Sequence, residues 1–143
     1  MSSHRTYIPE NLKTSGGLLF NGKTCATADY KGIAPVGSDV IYLVAMVTMG
    51  NAASLTLSVV TADDADGTTP VALIQNIPIF VNDVKQTQAK SYAVTADTGN
   101  FIVVFCVPSL LIPTSKYICL TYADSDVGNV LSAQAFTDGF ING

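Results

Sequence analysis

A chain of 143 residues, 48% hydrophobic and 13% charged, holds enough material for one domain with its own core and too little for two. Its net charge of −4, its single arginine (Arg5) and its dispersed lysines supply no basic stripe for neutralising phosphates, which excludes DNA or RNA as a partner. The charged share is about half the usual ~25%, so the folded surface must display many uncharged and apolar groups, a composition suited to being partly covered by other proteins.

Along the chain, residues 1–15 read as an N-terminal arm: polar, broken by Pro9 and without a sustained period. The run from Met1 to Tyr7 lacks the apolar segment of a secretory signal, so export by that route is not expected. Residues 16–143 read as a single domain built of short β-prone runs. In order these are Leu18–Phe20, Thr24–Lys31, Asp39–Thr48, Ser54–Thr61, Ala72–Ile79, Thr87–Thr95, Phe101–Val107, Lys116–Tyr122 and Val130–Thr137. No stretch of ten or more residues combines helical spacing with a cap at each end. The pattern predicts an all-β fold, an antiparallel two-sheet sandwich of about eight or nine strands. The longest uninterrupted apolar run, Val40–Val47, falls well short of the ~18 residues of a membrane span, so no membrane partner is expected.

Two kinds of strand are distinguishable. From Ser54 to Val59 the residues alternate, with Leu55, Leu57 and Val59 on one side and Ser54, Thr56 and Ser58 on the other. That period marks a strand with one buried and one wet face. Val40–Val47 and Phe101–Val107 are apolar on both sides. Such strands need two covers, and in a two-layer sandwich the second must come from a loop, the arm or another subunit.

The breaks are equally plain. Gly50-Asn51, Asp97–Asn100 and Gly128-Asn129 are turn sequences, because Gly and Asn tolerate positive φ. Asp63–Pro70 is a longer polar loop, and Pro108 and Pro113 bracket a connection or an edge.

Candidate chemistry is sparse. His4 is the only histidine and Glu10 the only glutamate, both in the arm, where a general base is not held against a nucleophile. No catalytic residue and no cofactor is therefore assigned. Asp63, Asp64 and Asp66, followed by Gly67, faintly resemble a calcium loop, but no bidentate glutamate follows, and turn formation is the favoured role. The same ambiguity attaches to Asp124 and Asp126. No His/Cys spacing fits zinc, and no phosphate-binding glycine loop or nucleophile elbow is present, so no metal site is assigned either. Three cysteines, Cys25, Cys106 and Cys119, do not make a disulfide framework; folding in a reducing cytosol is the simplest reading.

Several features in this order resemble the small jelly-roll cement proteins that decorate tailed-phage heads. They are Gly17–Asn21, the Thr/Ala-rich run Thr24–Asp29, the apolar strand Val40–Val47, the strand Ser54–Asp64 ending in an Asp-Asp turn, and the closing pair Lys116–Tyr122 and Val130–Asp138. The similarity spans about residues 17–138 and is one of strands and turns. It implies a jelly-roll sandwich, made in the host cytoplasm, that binds the outer capsid surface of the virion. It also implies two partners, the major capsid protein and further copies of the chain itself in a symmetric dimer or trimer.

Within that reading the arm is the expected clamp, with Arg5 as a directional donor and Tyr7, Ile8 and Leu12 as apolar anchors, residue types that interfaces favour. A rival expectation is a receptor- or glycan-binding head of a phage fibre or lectin, with a shallow site around Asp63–Thr69. An enzyme of the cupin type would need a histidine-rich metal set that His4 alone cannot provide.

Overall fold

The computed structural model describes residues 3–7, 17–35, 39–51, 53–95 and 98–141, with side chains described between 17 and 137. Among them are twelve strands: β1 (Ser3–Tyr7), β2 (Leu18–Thr24), β3 (Asp29–Ile33), β4 (Val40–Met49), β5 (Leu55–Ala62), β6 (Val71–Ala72), β7 (Ile79–Val81), β8 (Val84–Lys85), β9 (Ser91–Val94), β10 (Gly99–Pro108), β11 (Tyr117–Tyr122) and β12 (Val130–Ile141). One 3-10 turn, Ser109–Leu111, links β10 to β11.

Pairing is nested. β2 lies against β12, β3 against β11, β4 against β10 and β5 against β9, every pair antiparallel. The domain is thus one long folded hairpin whose two arms travel together. Rolling that ribbon puts β2-β12-β4-β10 in one layer and β3-β11-β5-β9 in the other. This is the jelly-roll connectivity of an all-β sandwich. The short strands extend it: β7 and β8 continue the larger sheet beyond β10, and β6 joins β5 in the smaller one.

Alternation fills the space between the layers. Ile41, Leu43, Ala45, Val47 and Met49 of β4 point inward, with Val103, Phe105 and Val107 of β10 and Leu131, Ala133 and Ala135 of β12. Facing them are Leu55, Leu57 and Val59 of β5 and Ile118, Leu120 and Tyr122 of β11. Each large aliphatic side chain so buried contributes roughly 1.5–3 kcal/mol, and the Phe20 and Tyr122 rings add an edge-to-face contact at 5.5 Å. Between β7 and β8 the turn residues Asn82 and Asp83 both have positive φ, 48° and 67°, the twist a two-residue hairpin demands.

The structure departs from the sequence reading in places. Residues 3–7, expected within a free arm, form β1, paired residue for residue with Thr137–Ile141 of β12. Main-chain bonding to the overhang of β12 recruits them, and their polar sequence carries no apolar alternation to announce it. The expected strand Thr24–Lys31 is split. Its first residue ends β2, and Cys25–Ala28 turns from one sheet to the other, held by Cys25 N donating to Asn129 O (2.9 Å) and Ala28 N donating to Asp124 Oδ1 (2.5 Å). Of the expected strand Ala72–Ile79 only Ala72 and Ile79 belong to strands, with Ile77 making an isolated bridge to Ala89, and Pro78, which lacks an N–H to donate, separates that bridge from β7.

Candidate interaction surface

The outward residues of the larger sheet fall in three rows, fixed by register. Phe136, Tyr42 and Cys106 are side by side; Gln134, Val44, Val104 and Phe80 form the next row; Ser132, Met46 and Ile102 form the third. All are half-buried or exposed, with Met46 50%, Ile102 48% and the adjacent Leu18 43% accessible. No charged side chain occupies the described outward positions of β4, β10 and β12. At one end of the rows an open depression of about 370 Å³ is lined by Met46, Thr48, Asn100, Ile102, Val130 and Ser132. Thr48 Oγ1 and Asn100 Oδ1 close its polar rim at 3.0 Å. The outward positions of these strands are mostly apolar and carry no described charge. The physical tendency of such a face is to be removed from water.

The outer face of the smaller sheet differs. Its outward positions include Thr56, Ser58, Thr121 and Ser91, and part of it is covered by the loop 63–69. Gly32 N donates to Ala65 O (2.9 Å) and the Cys119 thiol donates to Asp64 O (3.5 Å). Gly67, at φ +81°, rests so closely on Tyr30 that no Cβ would fit.

The loop's carboxylates are spent on this arrangement. Asp64 Oδ1 accepts from the backbone N–H groups of Asp66 (2.9 Å) and Thr68 (3.1 Å), and Oδ2 accepts from the Thr68 hydroxyl (2.6 Å). The Thr68 hydroxyl, then its backbone, hold the Asp64 pKa below the ordinary value, and the bond from Lys116 does the same for Asp63. Asp66 is paired with Lys31 at 2.8 Å. Asp124 and Asp126 likewise accept backbone N–H groups, from Ala28 and Gly128. Among the described residues no three His, Cys, Asp or Glu side chains converge as a metal would require.

At the end of the sandwich beside the 25–28 turn, one buried side chain ties three connections together. Asn129 Oδ1 accepts from Gly50 N (3.1 Å) and Asn51 N (3.2 Å), while Nδ2 donates to Ala53 O (2.8 Å) and Ser125 Oγ (2.9 Å). With its backbone carbonyl also holding Cys25 N, this residue fixes the β4–β5, β11–β12 and β2–β3 turns together. All three cysteines are free. Burial pushes the Cys25 and Cys119 thiols up to about 11, and raises that of Cys106, the one on the apolar face.

Of the contact residues expected from sequence, Arg5 and Tyr7 are on β1, opposite Gly139 and Thr137 of β12, while Ile8 and Leu12 lie outside the described residues, as does Glu10. The structure does not bring the four together into a described cluster. The apolar face was foreshadowed only by the double-sided character of Val40–Val47 and Phe101–Val107. Phe80 and Phe136 carried no such signal, since each stands outward on a strand whose sequence gives no hint of sheet position. Among the described residues no helix is long and apolar enough to cross a membrane. No protein-family profile, no curated protein and no solved structure matches this chain.

Proposed function

We propose that this chain is a structural component of a larger assembly, a cement protein that sits on the outside of a tailed-phage capsid and links neighbouring major capsid proteins. The observation that carries the reading is the apolar outer face formed by β12, β4 and β10, whose described outward positions hold no charged side chain, a surface whose exposure to water is costly and whose burial against protein is favourable. The strand and turn order that resembles decoration proteins narrows the assembly to a viral shell, and the jelly-roll connectivity agrees with it.

The mechanism is linkage. A protein that binds the assembled lattice and not its separate subunits stabilises the lattice. Repetition of the same contact over the shell lets a modest affinity per copy hold it together, each specific contact burying on the order of 1,000 Å². In this reading Arg5, Tyr7, Ile8 and Leu12 are shell contacts, the first two presented from an edge strand of the larger sheet.

The test is to mix the purified protein with undecorated capsids. Co-sedimentation and a raised temperature of shell disruption are expected; a protein that stays in the supernatant refutes the proposal. Since residues 3–7 belong to a sheet, deleting residues 2–12 removes a strand as well as contacts. The sharper variant is Arg5→Ala with Tyr7→Ala, expected to weaken capture by about tenfold or more while the melting temperature stays near that of the parent.

A further inference from the structure

We infer that the end of the sandwich where β10 passes into β11 is a second contact with the major capsid protein, formed by Leu110 and the cleft beside it. The inference rests on the shell-binding reading and deepens it. A protein that links neighbours must hold two of them at once, and a surface that points away from the outer face of β12, β4 and β10 gives it the second hold.

Leu110 is the most exposed of the large hydrophobic side chains among the described residues, at 94%. A lone exposed aliphatic group is ordinary; this one is mounted rigidly. Its neighbours Leu111 and Ile112 are buried, Ser109 N donates to Asp39 O (2.9 Å), and Ile112 N donates to Ser109 O (3.0 Å). Pro108 and Pro113, whose rings fix φ, bracket the turn. The backbone under Leu110 is therefore ordered before any partner arrives, which lowers the entropic cost of burying the side chain.

A recess adjoins this knob. Ser109 and Ile112 of the turn, Pro35 after β3, and Pro113 and Tyr117 at the approach to β11 line an open cleft of about 500 Å³. Lys116 lines it too, with its Nζ already paired to Asp63, so the matching group is an uncharged side chain of the capsid protein rather than an anion. Register sets this end beside the strand that carries Arg5 and Tyr7. Thr6 is opposite Asp138, Asp138 opposite Val40 and Val40 opposite Pro108, in one line across the larger sheet. The turn Ser109–Leu111 begins where that line ends. The contacts proposed on β1 and the Leu110 turn thus belong to one end of the molecule, facing along the strands and about a right angle from the outer face.

Undecorated capsids supply the test, read in two ways: co-sedimentation for binding and the temperature of shell disruption for linking. Leu110→Lys should keep the parent's melting temperature, because the side chain it replaces is exposed. It should weaken capture by about tenfold. It should also abolish the rise in disruption temperature, even at concentrations that saturate the shells, because one of the two holds is gone. Leu110→Met, apolar and adaptable, should match the parent in both readouts. Thr114→Arg, at an exposed position lining the cleft, should act in the same direction as Leu110→Lys. Val127→Lys, 68% exposed at the opposite end where Gly50 meets Gly128, should change neither readout. A Leu110→Lys protein that binds and stabilises shells as the parent does overturns the inference and leaves the cement reading standing. Equal losses in Val127→Lys overturn it too, since any added charge would then suffice. A parent that stays in the supernatant removes both.

Discussion

The two outer faces of this sandwich solve the same problem in opposite ways. On the smaller sheet, β5 alternates from Leu55 to Val59, so Thr56 and Ser58 face outward, and a loop whose carboxylates cap its own backbone lies over the neighbouring strands. On the larger sheet, β4 and β10 are apolar on both sides, and no described segment of the chain covers the outward one. One face is finished within the molecule. The other has no cover among the described residues. The difference locates interaction without any catalytic signature, because it asks only which buried-type surface lacks a cover.

Four measurements would break or sharpen that contrast. Phe105→Ala empties the inner side of β10 and should cost about 3–5 kcal/mol in denaturant unfolding, whereas Val104→Thr, one residue away on the outer side, should cost about 1 kcal/mol or less in a dissociated chain. Near-equal losses would mean that the two sides of β10 are not differently buried. Asn129→Ala strands the Gly50 and Asn51 N–H groups and should lower stability by about 2–4 kcal/mol, with hydrogen exchange rising in all three turns it joins.

The remaining two concern pH and are smaller. Cys25 and Cys119 have folded-state values of about 11 against 9.0 for a free thiol. The unfolded chain therefore ionises first, and stability, complete below pH 9, should decline as pH rises from about 9 towards 11. Replacing both by alanine should flatten that decline in a series of thermal melts. On the hydroxylic face the sign reverses. Asp63 and Asp64 are depressed below 3.8, so their contribution is present above that value and fades as pH falls through their lower folded values. Asp64→Asn should remove the Asp64 share of this acid sensitivity and leave that of Asp63, read as the melting temperature at pH 3 against pH 7.

How much of this was legible beforehand follows from what each signal depends on. One-sided burial writes itself into every second residue of β5, and unbroken β-prone runs mark β4, β10 and β11, so all four are legible within a residue or two of their ends. The polar sequence of β1 and the exposed half of β2 beyond Phe20 leave no such trace, so the sequence shows an arm over residues 3–7 and a strand that stops at Phe20, whereas β2 runs to Thr24. Gly128-Asn129 was recognisable as a turn, yet nothing in one sequence distinguishes an asparagine that merely tolerates the turn from one buried at the junction of three. The double-sided strands declared that a second cover was needed. Which residues would form the uncovered surface depended on which strands became neighbours, and that is a property of long-range pairing.

One consequence of the nested pairing concerns synthesis. β12 lies in the interior of the larger sheet, between β2 and β4, so the earliest strands have no centre to close upon until residues 130–141 leave the ribosome. Until then β4 presents an apolar ribbon with an open edge, a template for wrong partners. Folding is thus expected to wait for the last strand and to be slow, governed by contacts more than 100 residues apart such as that between Gly22 N and Ser132 Oγ. A translation product halted before Val130 is expected to aggregate rather than persist as a partial domain.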